Sequence, residues 1–360
     1  LIAVLVASCQ SSSLDEGIKG TGTSSEAPLA DQSFGSGPVK AALLVPLTGA
    51  MAPAGADVRD GAAMALKDLG QEAIMLTALD TGTSADQTRI ASQRAIAAGS
   101  SFTAIYGDEP SIAASTTGGV VGLALTENGT PRPPGMFAFL PGPVDSLAAG
   151  IIHAAANVDG EAVVFVPDDF SDQDRALLDE RLAGRAKYVV VTYTSRDDPL
   201  KVAGAAANAA IVGLAGTDSK VSQIVRGVQI GRDKDNRPAV VGHSGWPQSL
   251  YQFPELNGAI VALPDRSGYD HIAAAYKGEY NREVTAEAAY GYDAMAIVAG
   301  LVRAKGPGGL TRENFLGAAG FRGVTGAFRF LSDGSVQRLF AIFVNQGGKM
   351  TRIADPLEGF

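Results

Sequence analysis

Short apolar runs alternate with amphipathic stretches along most of the chain. "VKAALLVPL" (39–47) has the length and continuity of a buried strand, and Val58, Ala62, Ala65, Leu66 and Leu69 then recur on one face of a helix. "AIMLTALDT" (73–81) predicts a second strand. Ser84 with Gln87 three residues on has the spacing of a capping box, which opens a helix to about Ala98. "TAIYGD" (103–108), a helix from about Ser111 and "MFAFLP" (136–141) continue the series. Strands alternating with helices imply a parallel sheet covered on both faces.

The alternation then restarts. "EAVVFVPDD" (161–169), "YVVVTYT" (188–194), "AAIVGLA" (209–215) and "AVVGHS" (239–244) read as strands. Helices are expected over 171–182, in an alanine-rich stretch to about Asn208, and near 218–229. A strand at 258–264 precedes helices over 269–281 and 286–304. From Gly323 the pattern switches to apolar–polar alternation around "SDG" and "QGGK", as in antiparallel strands joined by turns. The order predicts an α/β fold of two lobes with a β-rich tail.

Length agrees, since 360 residues exceed what one core usually fills. A hydrophobic content of 46% with 19% charged residues describes a folded chain, and a net charge of −9 opposes nonspecific nucleic-acid binding. No C-x-x-C, H-E-x-x-H or EF-hand spacing is present, so no metal or other cofactor is expected.

The single cysteine, Cys9, follows "LIAVLVAS", an apolar run too short to span a bilayer. "VASC" resembles a bacterial lipobox, so residues 1–9 are read as a truncated lipoprotein signal with Cys9 as the lipid attachment point. Residues 10–38, rich in Ser, Gly, Asp and Glu, are read as a flexible tether holding the body near a membrane, the outer membrane by resemblance to known sorting.

"VPLTGAMAPAGADVRDGAAMAL" (45–66), "YDAMAIVAGLVRA" (292–304) and "FRGVTGAFRFLSDGSVQRLFAIFVNQGGKM" (321–350) together resemble the leucine-binding branch of the type 1 periplasmic-binding fold. Within it they are most similar to the lipoproteins of alphaproteobacteria called penicillin-binding protein activators. The resemblance implies two mainly parallel α/β lobes joined by three crossings, near 141–144, 262–265 and 328–331. Residues 39–141 with 265–328 then form lobe 1, and 142–264 with 329–360 form lobe 2. A small polar ligand, amino-acid-like or a cell-wall fragment, is implied in the cleft between them. The implied partners are an ABC permease or, in the alternative regulatory role, a penicillin-binding protein; no nucleic acid is implied, and the membrane only through the anchor.

The resemblance places Thr48 and Gly49 after the first strand. Ser111, in "GDEPS" (107–111), falls where a hydroxyl and helix-start amides receive a ligand carboxylate, though capping of its own helix explains it equally. Pro141 and Gly142 fall where backbone groups meet the ligand, and Asp169 and Phe170 where an aromatic covers it. The branch places a carboxylate for the ligand's ammonium in the turn "GHSGW" (242–246), but here that position is Ser244. An unpaired ammonium in a closed cleft would be costly, and Asp80, Asp168 or Asp169 is either its substitute or, more simply, a solvated loop or capping acid. Trp246 either stacks on a ligand or packs locally. It also spoils the G-x-S-x-G turn of a serine hydrolase. A non-enzymatic binding protein is therefore expected.

Overall fold

The computed structural model describes residues 27–356 and 359–360. Cys9 and residues 10–26 of the expected tether lie outside the described residues.

The first sheet contains β1 (Gln32–Phe34), β2 (Val39–Val45), β3 (Ile74–Asp80), β4 (Phe102–Ile105), β5 (Val121–Ala124) and β6 (Met136–Ala138), in the order β1-β3-β2-β4-β5-β6. β2 to β6 run parallel, and β1 lies antiparallel to β3 with Ser33 opposite Thr77. The helices α1 (Ala52–Leu69), α2 (Ala85–Ala97) and α3 (Glu109–Ala114) connect these strands. Gln32–Phe34 thus corrects the expectation that the tether extends to residue 38. Polar composition concealed an edge strand whose backbone is satisfied by β3. β5 also has no counterpart in the periodicity, being four residues long.

The chain then enters α4 (Pro143–Ala155), which the sequence reading did not mark. β7 (Ala162–Pro167), α5 (Asp172–Leu182), β8 (Tyr188–Tyr193), α6 (Pro199–Ala203), β9 (Ile211–Leu214), α7 (Lys220–Gln229), β10 (Ala239–Val241) and β11 (Ile260–Pro264) build a second parallel sheet. It returns through α8 (Tyr269–Tyr280), α9 (Ala286–Lys305), α10 (Arg312–Phe315) and a small antiparallel sheet of β12 (Phe321–Gly323), β13 (Gly326–Phe330) and β14 (Val336–Arg338). β15 (Phe340–Gln346) then adds antiparallel to β11 and β16 (Lys349–Ala354) antiparallel to β15, giving the order β16-β15-β11-β10-β9-β7-β8.

The third crossing lies at Leu339, between β14 and β15, and not at 328–331. The Ser332-Asp333-Gly334 turn reverses the chain into the β13–β14 hairpin, so Phe328, Phe330 and Val336 remain in the lobe 1 core with Phe137, Phe139 and Phe315. Arg338, at the end of that hairpin, is buried. It donates through Nε and Nη2 to Phe139 O at 3.0 and 2.6 Å and through Nη1 to Thr325 Oγ1 at 3.0 Å. The rings of Phe139, Tyr290 and Phe328 surround its guanidinium at 4.6 to 5.1 Å. The other crossings run from β6 to α4 and from β11 to α8.

Two packing features set the shape of the cleft. In lobe 1, α1 and α9 meet backbone to backbone: a Cβ on Gly61 would stand 1.9 Å from Ala288 O, and one on Gly291 would stand 2.1 Å from Val58 O. In lobe 2, β10 ends in the turn Gly242-His243-Ser244-Gly245-Trp246. Trp246 folds its ring over Gly242, where a Cβ would lie 2.5 Å from it, and donates from Nε1 to Gly216 O at 3.0 Å. The buried His243 ring spans the same turn, with Nδ1 accepting from Gly245 N at 3.1 Å and Nε2 3.0 Å from Ala215 O. The first contact fixes the tautomer, leaving the hydrogen on Nε2 to be donated to Ala215.

Both features predict outcomes. Gly291→Ala drives the two helices apart and should cost on the order of 1–3 kcal/mol or more. Gly300→Ala, on the same helix but with no atom within 4 Å of the added Cβ, should be neutral or stabilising. Urea denaturation midpoints that fail to separate the two variants would contradict the close-packing account. Burial pushes the His243 imidazole down to about 4 from its ordinary value of 6.5. A depressed histidine contributes stability that is complete above 6.5 and is lost as the pH falls towards 4. The loss should be on the order of 3 kcal/mol. Unfolding measured from pH 7 to 4 should show that limb in the wild type and lack it in His243→Gln.

Candidate functional site

A cavity of about 430 Å3 opens between the lobes. Tyr106, Leu125 with Glu127, and Leu140 with Pro141 reach it from just beyond β4, β5 and β6, and Ser244 with Gly245 from beyond β10. Leu263 and Pro264 come from the end of β11. The cavity therefore lies outside the carboxyl ends of the strands of both sheets, where open α/β sheets gather ligands. Val58 of α1, Ala286, Glu287 and Tyr290 of α9, and Arg266 of the second crossing complete its wall. Its volume suits a small organic ligand.

Of the residues expected at the site, Pro141 and Ser244 line this cavity. Gly142 is the N-cap of α4 beside it, its carbonyl accepting from Ser146 N at 3.1 Å. The Ser244 amide is already engaged, donating to Ser146 Oγ at 2.8 Å, and Ser146 Oγ in turn donates to Ala262 O. Ser244 receives no help from the adjacent His243, whose ring nitrogens are both occupied within the turn. The arrangement lacks the positioned base that a serine nucleophile needs.

Thr48 and Ser111 lie elsewhere, in a smaller pocket of about 180 Å3 at the ends of the lobe 1 strands, with Thr81, Thr83 and Asp108. Thr48 Oγ1 is buried there without a hydrogen-bond partner among the described residues. Gly49 stands at the pocket's edge with φ +74°, and a Cβ on it would lie 2.4 Å from the Thr83 side chain. Ser111 does not cap α3. Asp108 does, accepting from Ser111 N at 3.0 Å, so the protein's own carboxylate fills the place implied for a ligand's.

Of the remaining residues, Asp80, Asp169 and Phe170 depart from the expectation, and Trp246 follows its packing alternative. Asp80 is buried and committed: Oδ1 accepts from Leu47 N and Gly82 N, and Oδ2 from Leu29 N, each at 2.8 Å. It ties the ends of β2 and β3 to the incoming chain and does not line the inter-lobe cavity. Trp246 is 4% exposed and packs into the lobe 2 core. Asp169 is exposed, and Phe170 packs against the α4–α5 face of lobe 2; neither lines the inter-lobe cavity.

The charged groups that do line it are Glu127, Glu287 and Arg266, which the sequence reading missed. None of the three side chains has a hydrogen bond or ion pair among the described residues. Arg266 lies over the Tyr269 ring at 5.8 Å. Glu127 sits by the start of α4, its Oε2 3.7 Å from where a Cβ on Gly142 would stand. Crowding by the cleft walls, then the charges of Asp145 and Asp174, push its carboxyl up to about 7. Burial first, then the charges of Glu287 and Asp57, raise the Tyr106 phenol. Glu127 follows a strand too short to register as periodicity, and Glu287 looks like an ordinary acid in the first turn of a helix.

Another cavity, of about 440 Å3, lies on the outer face of lobe 1 between β1, α1 and α8. Its charges are mutually satisfied, Arg59 by Asp60 and Lys67 by Glu279 at 2.6 and 2.9 Å. The inter-lobe cavity differs in presenting unpaired charges. Among the described residues, no group of three or more His, Cys, Asp or Glu side chains is placed to hold a metal ion, and no helix is long and apolar enough to cross a membrane.

The fold recurs in solved structures. A branched-chain amino acid ABC-type transporter protein of Rhodopseudomonas palustris superposes with a TM-score of 0.66 at 14% identity, covering 89% of this chain and 96% of that one. The branched-chain amino acid substrate-binding protein LivJ of Streptococcus pneumoniae, solved with isoleucine, gives 0.55 at 17%, covering 89% and 99%. A solute-binding protein of Rhodopseudomonas palustris BisB5, solved with 3,4-dihydroxybenzoic acid, gives 0.53 at 16%, covering 88% and 96%. At these identities the likeness is one of fold. No curated protein matches the chain in sequence. The family model described as periplasmic binding protein matches residues 38–349, and the chain belongs to that family.

Proposed function

We propose that this protein is a non-enzymatic cell-envelope binding lipoprotein, anchored through Cys9, whose lobes close on a small polar ligand in the inter-lobe cavity. The observation that carries the reading is the cavity itself. It is walled by strand ends of both lobes and by all three kinds of group a solute needs: apolar side chains, tyrosines and unpaired charges. A ligand seated there touches Leu125 and Tyr290 on one side and Ser244 and Leu263 on the other, so binding favours the closed arrangement. Delivery to an ABC permease is the use in keeping with the transport proteins that share the fold.

The test is a thermal-shift screen against amino acids, amines, aromatic acids, short peptides and cell-wall fragments, followed by small-angle scattering with any hit. A ligand at a hundredfold excess over its dissociation constant should add about 2.7 kcal/mol, a shift of a few degrees. Saturation should also reduce the radius of gyration. A proven ligand that binds without compaction would refute closure. Silence across the panel would pass the reading to the partner-binding role, with pull-down of penicillin-binding proteins as its test.

A further inference from the structure

We propose that the inter-lobe cavity takes a ligand bearing a positively charged nitrogen on an apolar body, with Glu127 and Glu287 as its counter-charges. The proposal rests on the solute-binding reading above and adds the ligand's class to it.

Two carboxylates and one guanidinium line the cavity, and no ion pair within it neutralises either carboxylate. Arg266, which also lines the cavity, lies over the Tyr269 ring at 5.8 Å and leaves the carboxylates in excess by one. Behind the wall, Asp145, itself paired with Arg181, and Asp174 act on Glu127. An anion entering this space meets Glu287 and, as the pH rises above about 7, a second like charge on Glu127, whereas a cation is attracted to both. The remaining lining suits the rest of such a ligand. Tyr106 and Tyr290 provide aromatic surface attractive to a cation, and Val58, Leu125, Leu140 and Leu263 cover an apolar body.

Ser244, in the lobe 2 turn, carries no charge, and the two glutamates come from lobe 1, one beyond β5 and one in the first turn of α9. Glu127 also confers a pH dependence. The groups acting on it are Asp145 of α4, itself paired with Arg181 of α5, and Asp174 of α5. Its carboxyl loses its proton near pH 7 while an aliphatic amine stays charged, so amine affinity should rise between pH 6 and pH 8.

Isothermal titration calorimetry on the full chain tests this with two matched series: 3-methylbutylamine, leucine and 4-methylpentanoate, then phenethylamine, phenylalanine and 3-phenylpropionate. The ammonium-bearing probes should bind, with each carboxylate at least about tenfold weaker than its amine. Glu127→Gln and Glu287→Gln should each weaken the best amine by about tenfold or more, and Glu127→Gln should also flatten the pH dependence. Carboxylates that bind as well as the amines overturn the charge assignment and leave solute binding standing. The same holds if both variants keep amine affinity within about twofold. Silence of all six probes alongside a hit by a neutral or anionic solute also overturns it; silence of every solute removes both readings together.

Discussion

The buried guanidinium of Arg338 joins two of the three crossings. It stands where the chain leaves the lobe 1 hairpin for lobe 2, and two of its nitrogens donate to Phe139 O, at the start of the first crossing. Its third nitrogen reaches Thr325, whose amide and hydroxyl, with the Val324 amide, donate to the buried carboxylate of Asp293 on α9. A buried charge is tolerated only when its hydrogen bonds are met and an opposite charge is near. Both conditions hold because two crossings, a turn and a helix converge on it. Removing one member of such a network strands the others in the core, typically at a cost of 3–5 kcal/mol. The base of the cleft is therefore specified by polar geometry, although aromatic rings surround it.

That anchor also fixes what the cavity presents. Tyr290 lies against Arg338 on one side and lines the cavity on the other. Its helix is held at backbone contact with α1 by Gly61 and Gly291, which places Val58, Ala286, Glu287 and Tyr290 along one wall. A second polar link lies beside it. Asn128 of lobe 1 donates to Asp145 of α4 at 3.0 Å and to Val336 O at 2.7 Å, while Asp145 also receives Arg181 Nε at 2.8 Å. Asp145 is thus held close to the cleft, and its charge acts on the adjacent Glu127.

The fold was legible because burial on both faces of a parallel sheet leaves continuous apolar runs, and most of the longer strands announced themselves that way. β5 and β6 span only four and three residues, and β5, without a clear punctuating pattern, went unread. α4 was missed for the opposite reason: its apolar residues are nearly continuous, Val144, Leu147, Ala148 and Ile151 being buried among others, so no polar face marked a helix. The site was less legible. Asp80 and Trp246 have the chemistry of ligand contacts and sit at strand ends, but local backbone groups claim both. Side-chain identity and position after a strand do not reveal which hydrogen-bonding capacity is already spent. Conversely, Glu127 and Glu287 look like surface acids, and only the tertiary arrangement places them across from Ser244.

The charges of the cavity are distributed unequally between its walls. Glu127, Glu287, Tyr106 and Tyr290 belong to lobe 1 and Arg266 to the second crossing, whereas lobe 2 offers Pro143, Ser244, Gly245, Leu263 and Pro264. On the proposed reading, charge recognition is complete before the lobes meet, and closure adds mainly apolar cover and one hydroxyl, excluding water and so strengthening the electrostatic contacts already made on lobe 1. A carboxylate in the lobe 2 turn would have made closure itself the act of charge pairing. On that reading, with Ser244 there, selection by charge and closure over the ligand are separable steps, the first assigned to α9 and the loop beyond β5, the second to the turn that His243 and Trp246 hold in shape.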